Sequence, residues 1–315
     1  MFERPAWGGL AVADGQPYRV AILGLPYDGS ACWRSGASEG PKRLREISAT
    51  SPAVSELGHL VEPARLGVLD LGDLAPLELT GPEAAEAARV EYLARAEERA
   101  RAVWNEAHQA GRDVFPIGIG GDHSVTIPLV RAFAASVRAP FGLISLDAHP
   151  DLFDRYDGSP LSAACPMRRA LETGLRPEHL LILGTRSYNR EELAFMREHG
   201  IRFVPAREID GGGVEAAVGM ARERLAGVES VYLTIDIDVA DPAFAPGTGA
   251  PVAGGLSSRQ TIELVRGLVD QLPVRAMDLV EIAPALDPSD STLLLGLQIL
   301  FETFAVLDRR RLGTV

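Results

Sequence analysis

The sequence predicts an α/β protein in which helices cover a parallel β-sheet. Apolar, β-branched runs alternate with helix-patterned stretches along the 315 residues, as is typical of strands joined by helical crossovers. Three of these runs lead directly into acidic or histidine side chains. Barrels and doubly wound sheets both carry their chemistry at the carboxyl ends of the strands, so the pattern alone leaves open whether the sheet is closed or open.

The predicted elements alternate regularly along the chain. Eight short apolar runs are predicted as strands, at 19–25, 65–70, 114–119, 141–147, 179–184, 201–204, 230–237 and 274–281. The helical stretches lie at 40–48, 82–111, 124–137, 161–174, 189–199, 214–226, 258–271 and 290–308. The second of these helices, rich in Ala, Glu and Arg, is the longest. Glycine and proline collect in the loops, as in 245–251.

Composition indicates one globular unit. With 46% hydrophobic and 23% charged residues, the chain can bury a large core. No linker, low-complexity tract or internal repeat interrupts it, so residues 1–315 are predicted to form a single domain. The net charge of −12 and the pI of about 5.0 argue against nucleic acid as a partner, because phosphate backbones require a basic face.

Cysteine usage and hydropathy predict a cytoplasmic protein. Cys32 and Cys165 are the only cysteines and form no closely spaced pair, which indicates a reducing compartment. The segment 1–16 lacks the basic-then-apolar pattern of a signal peptide. No apolar run approaches the roughly 18 residues of a membrane span, so no membrane partner is expected.

Two acidic segments at predicted strand ends form the core of a candidate metal site. Side chains at i, i+2 and i+4 of an extended chain share one face, which aligns Asp147, His149 and Asp151. Asp236 and Asp238 are aligned in the same way after a second run. Four carboxylates held together are costly unless a cation lies among them.

A third segment, Gly-Gly-Asp-His-Ser at 120–124, adds His123. Four carboxylates and two neutral imidazoles balance two divalent ions and a bridging anion, which predicts two metal ions per chain. The oxygen-rich set favours Mn²⁺, although Ni²⁺, Co²⁺ or Zn²⁺ would also fit. The predicted ligands are His123, Asp147, His149, Asp151, Asp236 and Asp238.

The alternative interpretation is structural. A single aspartate at a strand end usually caps a helix or forms a turn. The coincidence of three such patterns in one chain favours the metal site over three unrelated caps.

These motifs resemble those of the ureohydrolase family of arginases, agmatinases and guanidinobutyrases, over nearly the whole chain. The segment 120–124 is similar to the family's first ligand motif, 147–151 to its DAHxD motif and 234–242 to its [ST]-x-D-x-D-x-x-D-P motif. An early loop at 34–41 agrees as well. The Phe-Ala-Pro-Gly-Thr-Gly segment followed by Gly-Gly-Leu, at 244–256, resembles the agmatinase and guanidinobutyrase branch.

The resemblance implies a three-layer α/β/α fold with an open eight-stranded parallel sheet. It therefore favours an open sheet over a closed barrel. It implies a dinuclear manganese centre bridged by Asp147 and Asp236. His123 and Asp151 would complete one ion; the remaining histidine and aspartate would complete the other. It also implies homotrimers or homohexamers that cleave guanidino compounds to an amine and urea. Histone-deacetylase-like relatives keep one metal, and the full ligand set argues against that branch.

Glu281 is the candidate substrate clamp. A guanidinium is planar, cationic and resonance-stabilised, so it must be held still before water can attack it. Glu281 ends another apolar run, and a carboxylate there could bind the guanidinium through two hydrogen bonds, as the family uses its glutamate. We therefore take Asp147 and Glu281 as the catalytic residues. The competing interpretation is a surface salt bridge.

The sequence departs from the family where a proton-shuttling histidine is usual. Here 161–167 reads Leu-Ser-Ala-Ala-Cys-Pro-Met, with Ala163 in the histidine's place. Three explanations remain: another group or water acts as the acid, the substrate differs as in formimidoylglutamase-like relatives, or the chain is a low-activity metal-binding scaffold. Cys165 is a possible replacement acid, although a buried structural cysteine is the commoner case.

Substrate-tail recognition is poorly specified by the sequence. Asn189 lies about where arginase-like members place an acidic residue that reads the substrate's amino group, so its neutrality argues against arginine as substrate. Arg34, Arg186 or Arg190 could instead face a carboxylate. The sequence therefore predicts a manganese amidinohydrolase acting on agmatine or a guanidino acid.

Overall fold

The computed structural model describes residues 5–76, 84–108, 113–138 and 140–312. Both ends of the predicted helix 82–111 and the outermost residues of the predicted single domain therefore lie outside the described residues.

All eight predicted strands are present, each within a few residues of its predicted bounds. They are β1 (Val20–Leu25), β2 (Val68–Asp73), β3 (Phe115–Gly120), β4 (Gly142–Leu146), β5 (Leu180–Thr185), β6 (Arg202–Pro205), β7 (Val231–Asp236) and β8 (Val274–Val280). They form one sheet in the order β2-β1-β3-β8-β7-β4-β5-β6, and every pairing is parallel. The sheet is open, as the family resemblance implied.

Nine helices of the described chain connect these strands. They are α1 (Gly40–Ser48), α2 (Ala84–Ala107), α3 (Thr126–Ser136), α4 (Pro166–Leu171), α5 (Arg190–His199), α6 (Ala206–Gly212), α7 (Val214–Arg224), α8 (Ser258–Gln271) and α9 (Ser291–Leu312).

Two helix predictions were wrong. The helix predicted at 161–174 is shorter, because the segment before Pro166 forms turns and the proline opens α4 at its first position. The helix α6 was missed, because a seven-residue helix that ends in Gly211 and Gly212 has poor helix propensity and too few turns to show a period.

The sheet separates two apolar cores. Alternate residues of β1 show the division, since Ile22 packs in one core with α1 and α6 to α9, whereas Leu23 packs in the other with α2 to α5. Both cores consist of fully buried aliphatic and aromatic side chains, so the central strands are apolar on both faces. The result is a three-layer α/β/α fold.

Helix α9 is long and apolar enough to cross a membrane, contrary to the expectation that no apolar run approaches the length of a membrane span. Within it, residues 291–310 are apolar enough to cross a bilayer, but 78% of the relevant window is buried inside the protein. Its apolar surface therefore serves the core of the fold.

The strand order places the chemistry at the middle of one sheet edge. The strands β3, β8, β7 and β4 are successive neighbours, so their carboxyl ends lie side by side. In register, Leu146 pairs with Ile235 and Asp236 with Val280. The residues that follow these positions therefore meet above one edge of the sheet.

Candidate active site

The structure brings all six predicted ligands together. His123, directly after β3, points its Nδ1 at three carboxylates. The distances are 2.9 Å to Asp151 Oδ2, 3.1 Å to Asp147 Oδ2 and 3.3 Å to Asp236 Oδ2. All four side chains are buried.

A second group of side chains shares Asp147. His149 Nδ1 lies 3.0 Å from Asp238 Oδ2 and 3.5 Å from Asp147 Oδ1. The ligand atoms of His123, Asp147 and Asp236, and likewise those of the second group, lie within 4.8 Å of one another. Two candidate metal-ligand groups with one aspartate in common are therefore present.

Each of three aspartates divides its two carboxylate oxygens between the backbone and the site. Asp147 Oδ1 accepts a hydrogen bond from His149 N at 2.6 Å, and Asp236 Oδ1 accepts one from Asp238 N at 2.8 Å. Asp238 Oδ1 accepts from Ala148 N at 3.0 Å. The other oxygen of each faces a histidine. These aspartates form turns and also converge on the site, so their structural role is compatible with the predicted metal-binding role.

The chemistry of these residues fits a cation. His123 Nδ1 and Asp147 Oδ2 are fully buried and have no hydrogen-bond partner among the described residues, an arrangement that costs free energy unless something binds them. Burial favours the neutral form of His149, but Asp238 and Asp147 outweigh it and raise the pKa of its imidazole to about 12. Burial and the charge of Asp147 raise the pKa of Asp151 to about 7. Without a cation the packed carboxylates and imidazoles shift each other's pKa values in this way, and divalent ions would instead stabilise ionised carboxylates beside neutral imidazoles.

Two of the site residues have a left-handed backbone. Asp151 has φ of 49° and Glu281 has φ of 64°, a region that costs non-glycine residues free energy. Such conformations are retained where the position of a side chain matters more than the local strain.

Glu281 follows β8 and lies at the floor of the site. Its Oε1 accepts a hydrogen bond from His123 N at 2.8 Å, and only 9% of the residue is exposed. Burial and repulsion from Asp122 raise the pKa of this carboxyl well above its usual range. A cation seated beside Glu281 would restore the charged form, so the group is poised for a guanidinium.

Two glycines make room for this arrangement. A Cβ on Gly121 would lie 1.8 Å from Tyr27 O, and one on Gly249 would lie 2.6 Å from Arg34 O and 3.4 Å from Glu281 Oε2. The Gly-Gly-Asp-His-Ser segment therefore packs against the Tyr27 backbone, and the 244–256 loop against Arg34 and Glu281, because these positions lack side chains.

The ligands and Glu281 open onto a cavity of about 340 Å³. Its outer wall is formed by aromatic and small side chains together with Arg34; these residues include Phe153, Tyr156, Ala163, Ala164, Tyr188, Asn189, Gly249 and Ala250. Ala163 thus lines the cavity, and its methyl group offers no proton-transferring group there.

The two cysteines differ in position. Cys165 is fully buried, its Sγ lies 3.8 Å from Ser159 O, and burial raises the pKa of its thiol to about 11. It does not line the cavity, whereas Cys32 does. Cys32 is exposed at the cavity rather than buried, yet partial enclosure by the protein and the charges of Asp151 and Glu281 raise the pKa of its thiol to about 12, so it stays neutral.

Asn189 has a structural task that the sequence did not reveal. It is the N-cap of α5, where its Oδ1 accepts from Glu192 N at 2.8 Å and Glu192 Oε2 accepts from Asn189 N at 3.2 Å. Asn189 also lines the cavity, with the nitrogen of its side-chain amide left for a ligand. The substrate contact of Asn189 stays a prediction, and its capping role is compatible with that contact.

Of the arginines considered for a carboxylate tail, Arg186 is committed elsewhere. Its guanidinium holds the loop after β5 to the loop after β7 by donating to five backbone carbonyl oxygens. The accepting residues are Gly184, Asp238, Val239, Ala240 and Val252. Arg34 donates to Thr248 O at 2.7 Å and Gly249 O at 3.2 Å. It is the arginine among the described residues that line the cavity.

Asp278 is a buried carboxyl near the site that the sequence did not single out. It lies fully buried in β8 and receives hydroxyl hydrogen bonds from Thr126, Tyr232 and Thr234. The signal was a charged residue inside an otherwise apolar strand, three positions before Glu281.

Comparison with known proteins decides the family. The family model described as "Arginase family" matches residues 18–305. The chain belongs to the arginase family. The strand order, the paired ligand groups and this match agree, so the predicted ureohydrolase resemblance and the fold it implied are confirmed.

The relatives are hydrolases. A guanidinopropionase of Pseudomonas aeruginosa is 37% identical over 303 residues, which cover 94% of this chain and 89% of the relative. An agmatinase of Halalkalibacterium halodurans is 34% identical over 279 residues, covering 87% of both chains. The predicted hydrolase class and the agmatinase-like branch are thereby confirmed.

Solved structures show the same fold. Proclavaminate amidino hydrolase from Streptomyces clavuligerus superposes with a TM-score of 0.80 at 31% identity, covering 97% of both chains. Formimidoylglutamase from Bacillus subtilis gives a TM-score of 0.82 at 25% identity, covering 96% of this chain and 92% of the other.

Proposed function

We propose that this protein is a dinuclear, manganese-dependent amidinohydrolase that cleaves a linear guanidino compound to an amine and urea. The observation that carries the proposal is the pair of ligand groups sharing Asp147, placed on one cavity with the buried, high-pKa Glu281. The similarity to guanidinopropionase and agmatinase supports the same class of substrate.

The proposed ligands divide into two sets with two shared members. Asp147 and Asp236 would bridge the ions, His123 and Asp151 would complete one set, and the remaining ligands His149 and Asp238 would complete the other. Two divalent ions bound there would supply Lewis acidity and lower the pKa of a water molecule. Mn²⁺ suits the four carboxylates, and Ni²⁺, Co²⁺ or Zn²⁺ are the alternatives.

Glu281 acts on the substrate itself. Its carboxylate accepts hydrogen bonds from the planar guanidinium and fixes the carbon beside the ligand cluster, which removes the entropic cost of orientation from the reaction. The absence of a side chain at Gly249 leaves space next to Glu281 Oε2 for that plane. The aromatic wall keeps bulk water away from the charged centre.

The charge of the outer cavity favours a guanidino acid over agmatine. Arg34 lines the cavity, and the carboxyl of Glu192, which also lines it, already accepts backbone hydrogen bonds from Leu152 and Asn189. An anionic substrate tail would therefore meet the cation of Arg34. The ammonium of agmatine would need a carboxylate instead, and outside the ligand cluster and Glu281 the described wall residues offer only Glu192, whose oxygens already accept backbone hydrogen bonds.

A panel of substrates tests the proposal. Protein loaded with Mn²⁺, or with Ni²⁺, is assayed for urea release from guanidinopropionate, guanidinobutyrate, agmatine, arginine and guanidine. We expect turnover of at least one guanidino acid, with a lower kcat/KM for agmatine. A matched Asp147→Asn variant controls for contaminating activity. No urea from any compound would refute the proposed function.

A second candidate is a formimidoyl hydrolase, favoured by the likeness to formimidoylglutamase and by Ala163 in place of the usual histidine. This enzyme would release formamide from an N-formimidoyl amino acid and no urea from the panel. A metal-binding scaffold without turnover is the third possibility. It would bind metal and release neither product, and the retained Glu281 argues against it.

We further propose a single-domain, cytoplasmic protein that assembles as a homotrimer or homohexamer, with no nucleic-acid or membrane partner. The acidic composition argues against a nucleic-acid partner, the burial of α9 argues against a membrane partner, and the assembly rests on the family resemblance alone. Sedimentation velocity measures the assembly, and a monomeric species at micromolar concentration would contradict it.

A further inference from the structure

A fully buried carboxylate lies on the Nε2 side of His123. Asp278 Oδ1 accepts from Thr234 Oγ1 at 2.6 Å, and its Oδ2 accepts from Tyr232 OH at 2.7 Å and Thr126 Oγ1 at 2.9 Å. The exposed fraction of Asp278 is 0%. Burial raises the pKa of this carboxyl, and the charge of His123 and the three O–H donors oppose the rise and favour the ionised form.

The number of available protons gives the network a direction. Each hydroxyl carries one proton, and an ionised carboxylate only accepts. Thr234 therefore uses its proton on Asp278 and can only accept from His123 Nε2, which lies 3.0 Å from Thr234 Oγ1. The 3.4 Å contact between Thr126 and Thr234 is longer, and the Thr126 proton is directed to Asp278 at 2.9 Å.

A histidine whose proton is held on Nε2 presents a lone pair on Nδ1. In this protein Nδ1 is the atom that faces the carboxylates of Asp147, Asp151 and Asp236, and it is buried without a hydrogen-bond partner among the residues that the structure describes.

We infer that Thr234 and Asp278 are positioning residues that fix the tautomer and orientation of His123 so that its Nδ1 can bind a metal ion. The inference rests on the metal centre of the proposed function. It concerns the polypeptide's own hydrogen bonds and is independent of the substrate. Loss of the partner of a metal-binding histidine weakens metal affinity by about 10-fold to 100-fold.

Three variants of the full chain separate positioning from packing. Thr234→Val keeps the shape and removes the link between His123 and Asp278. Thr234→Ser keeps the hydroxyl and loses a methyl group. Tyr232→Phe removes one donor from Asp278 and leaves the link to His123 intact, which makes it the matched control.

Calorimetric titration of metal-free protein with Mn²⁺ is the measurement, alongside the thermal midpoint of each metal-free variant. We expect the dissociation constant of one of the two ions to rise by about 10-fold to 100-fold in Thr234→Val and to stay within about threefold of the parent in Thr234→Ser and Tyr232→Phe. Nitrogen NMR of His123 in the metal-free parent should show the Nε2–H tautomer or the doubly protonated ring, and Thr234→Val should lose the Nε2 hydrogen bond.

The outcomes are distinguishable. Unchanged Mn²⁺ affinity in a folded Thr234→Val overturns the inference, and so does an equal loss in Tyr232→Phe. A Thr234→Val chain that does not fold, when Thr234→Ser folds and binds Mn²⁺ about 10-fold or more weaker than the parent, also overturns it. A parent that binds no Mn²⁺ overturns the metal centre and this inference together. A parent that binds two ions but hydrolyses no guanidino compound refutes the proposed function alone.

Discussion

At the residue scale, three of the candidate ligand aspartates are each held by a backbone N–H, while the second carboxylate oxygen of each faces a histidine. The spacing of Asp147, His149 and Asp151 predicted a shared face, and the structure brings them together. The division of each carboxylate between a backbone N–H and the site depends on turn geometry that the spacing does not encode. Asn189 shows the same limit, because its capping partner Glu192 is identified only once α5 is seen to begin at Arg190.

Glu281→Gln tests the substrate clamp. The amide keeps the shape and removes the charge that would pair with a guanidinium in a buried site, where loss of one partner costs about 3–5 kcal/mol. We expect kcat/KM to fall by about 100-fold or more while two metal ions remain bound. Steady-state kinetics with elemental analysis on the same sample check this result. A loss of less than about fivefold would exclude Glu281 as the clamp.

Ala163→His tests the missing proton shuttle. Ala163 lines the cavity, and an imidazole titrates near neutral pH, so a correctly placed one would protonate the leaving amine. We expect kcat on the best substrate of the panel to rise by about 10-fold or more. A fully positioned acid contributes roughly 10² to 10⁴. Ala164→His, one residue along the same wall, is the matched control. An unchanged or lower kcat with metal intact would favour a rebuilt pocket.

At the element scale, hydrophobic period and length predicted every strand and most helices, because each buries an apolar face. Where local chemistry competes with the period, the prediction was wrong. Helix α4 begins only at Pro166, and the two glycines at the end of α6 lower its helix propensity, so that this short helix was not predicted. The ion pairs between α9 and the 55–65 loop could not be predicted from the sequence either. Asp308 pairs with His59 and Arg65, which lie more than two hundred residues away in the chain.

Asp308 makes the α9 contact sensitive to acid. Burial opposes ionisation, but Arg65 and His59 outweigh it and hold the pKa of Asp308 below its usual value. A carboxyl whose pKa is lowered by folding adds stability above its unfolded pKa and loses it as pH falls through the folded value. We expect Asp308→Asn to be less stable than the parent at pH 7, with the difference shrinking below about pH 4. Urea unfolding across this range measures it; a difference independent of pH would contradict the assignment.

At the scale of the whole molecule, the order of strands explains why residues far apart in the chain form one site. Alternation of strands and helices predicted a parallel sheet but not its order, since strand order depends on which crossovers pack together. The family resemblance supplied the open sheet. The neighbours β3, β8, β7 and β4 then place His123, Glu281, Asp236 and Asp147 at one edge.

Metal removal should lower the stability of the whole fold without abolishing it. A ligand that binds only the folded chain adds about 2.7 kcal/mol at a hundred times its dissociation constant. We expect chelator-treated protein to keep its circular dichroism spectrum, to unfold at a lower temperature, and to regain the higher Tm with two equivalents of Mn²⁺. Regain with one equivalent would refute the dinuclear assignment.

The aspartates that close their own turns have a consequence for preparing and studying this protein. Backbone amides already hold Asp147, Asp236 and Asp238 in place. If these residues bind metal as proposed, the polypeptide folds with its ligand set already shaped before any ion enters. Different ions could then be exchanged into one preparation of folded protein, and their reactivities compared on an identical scaffold without refolding.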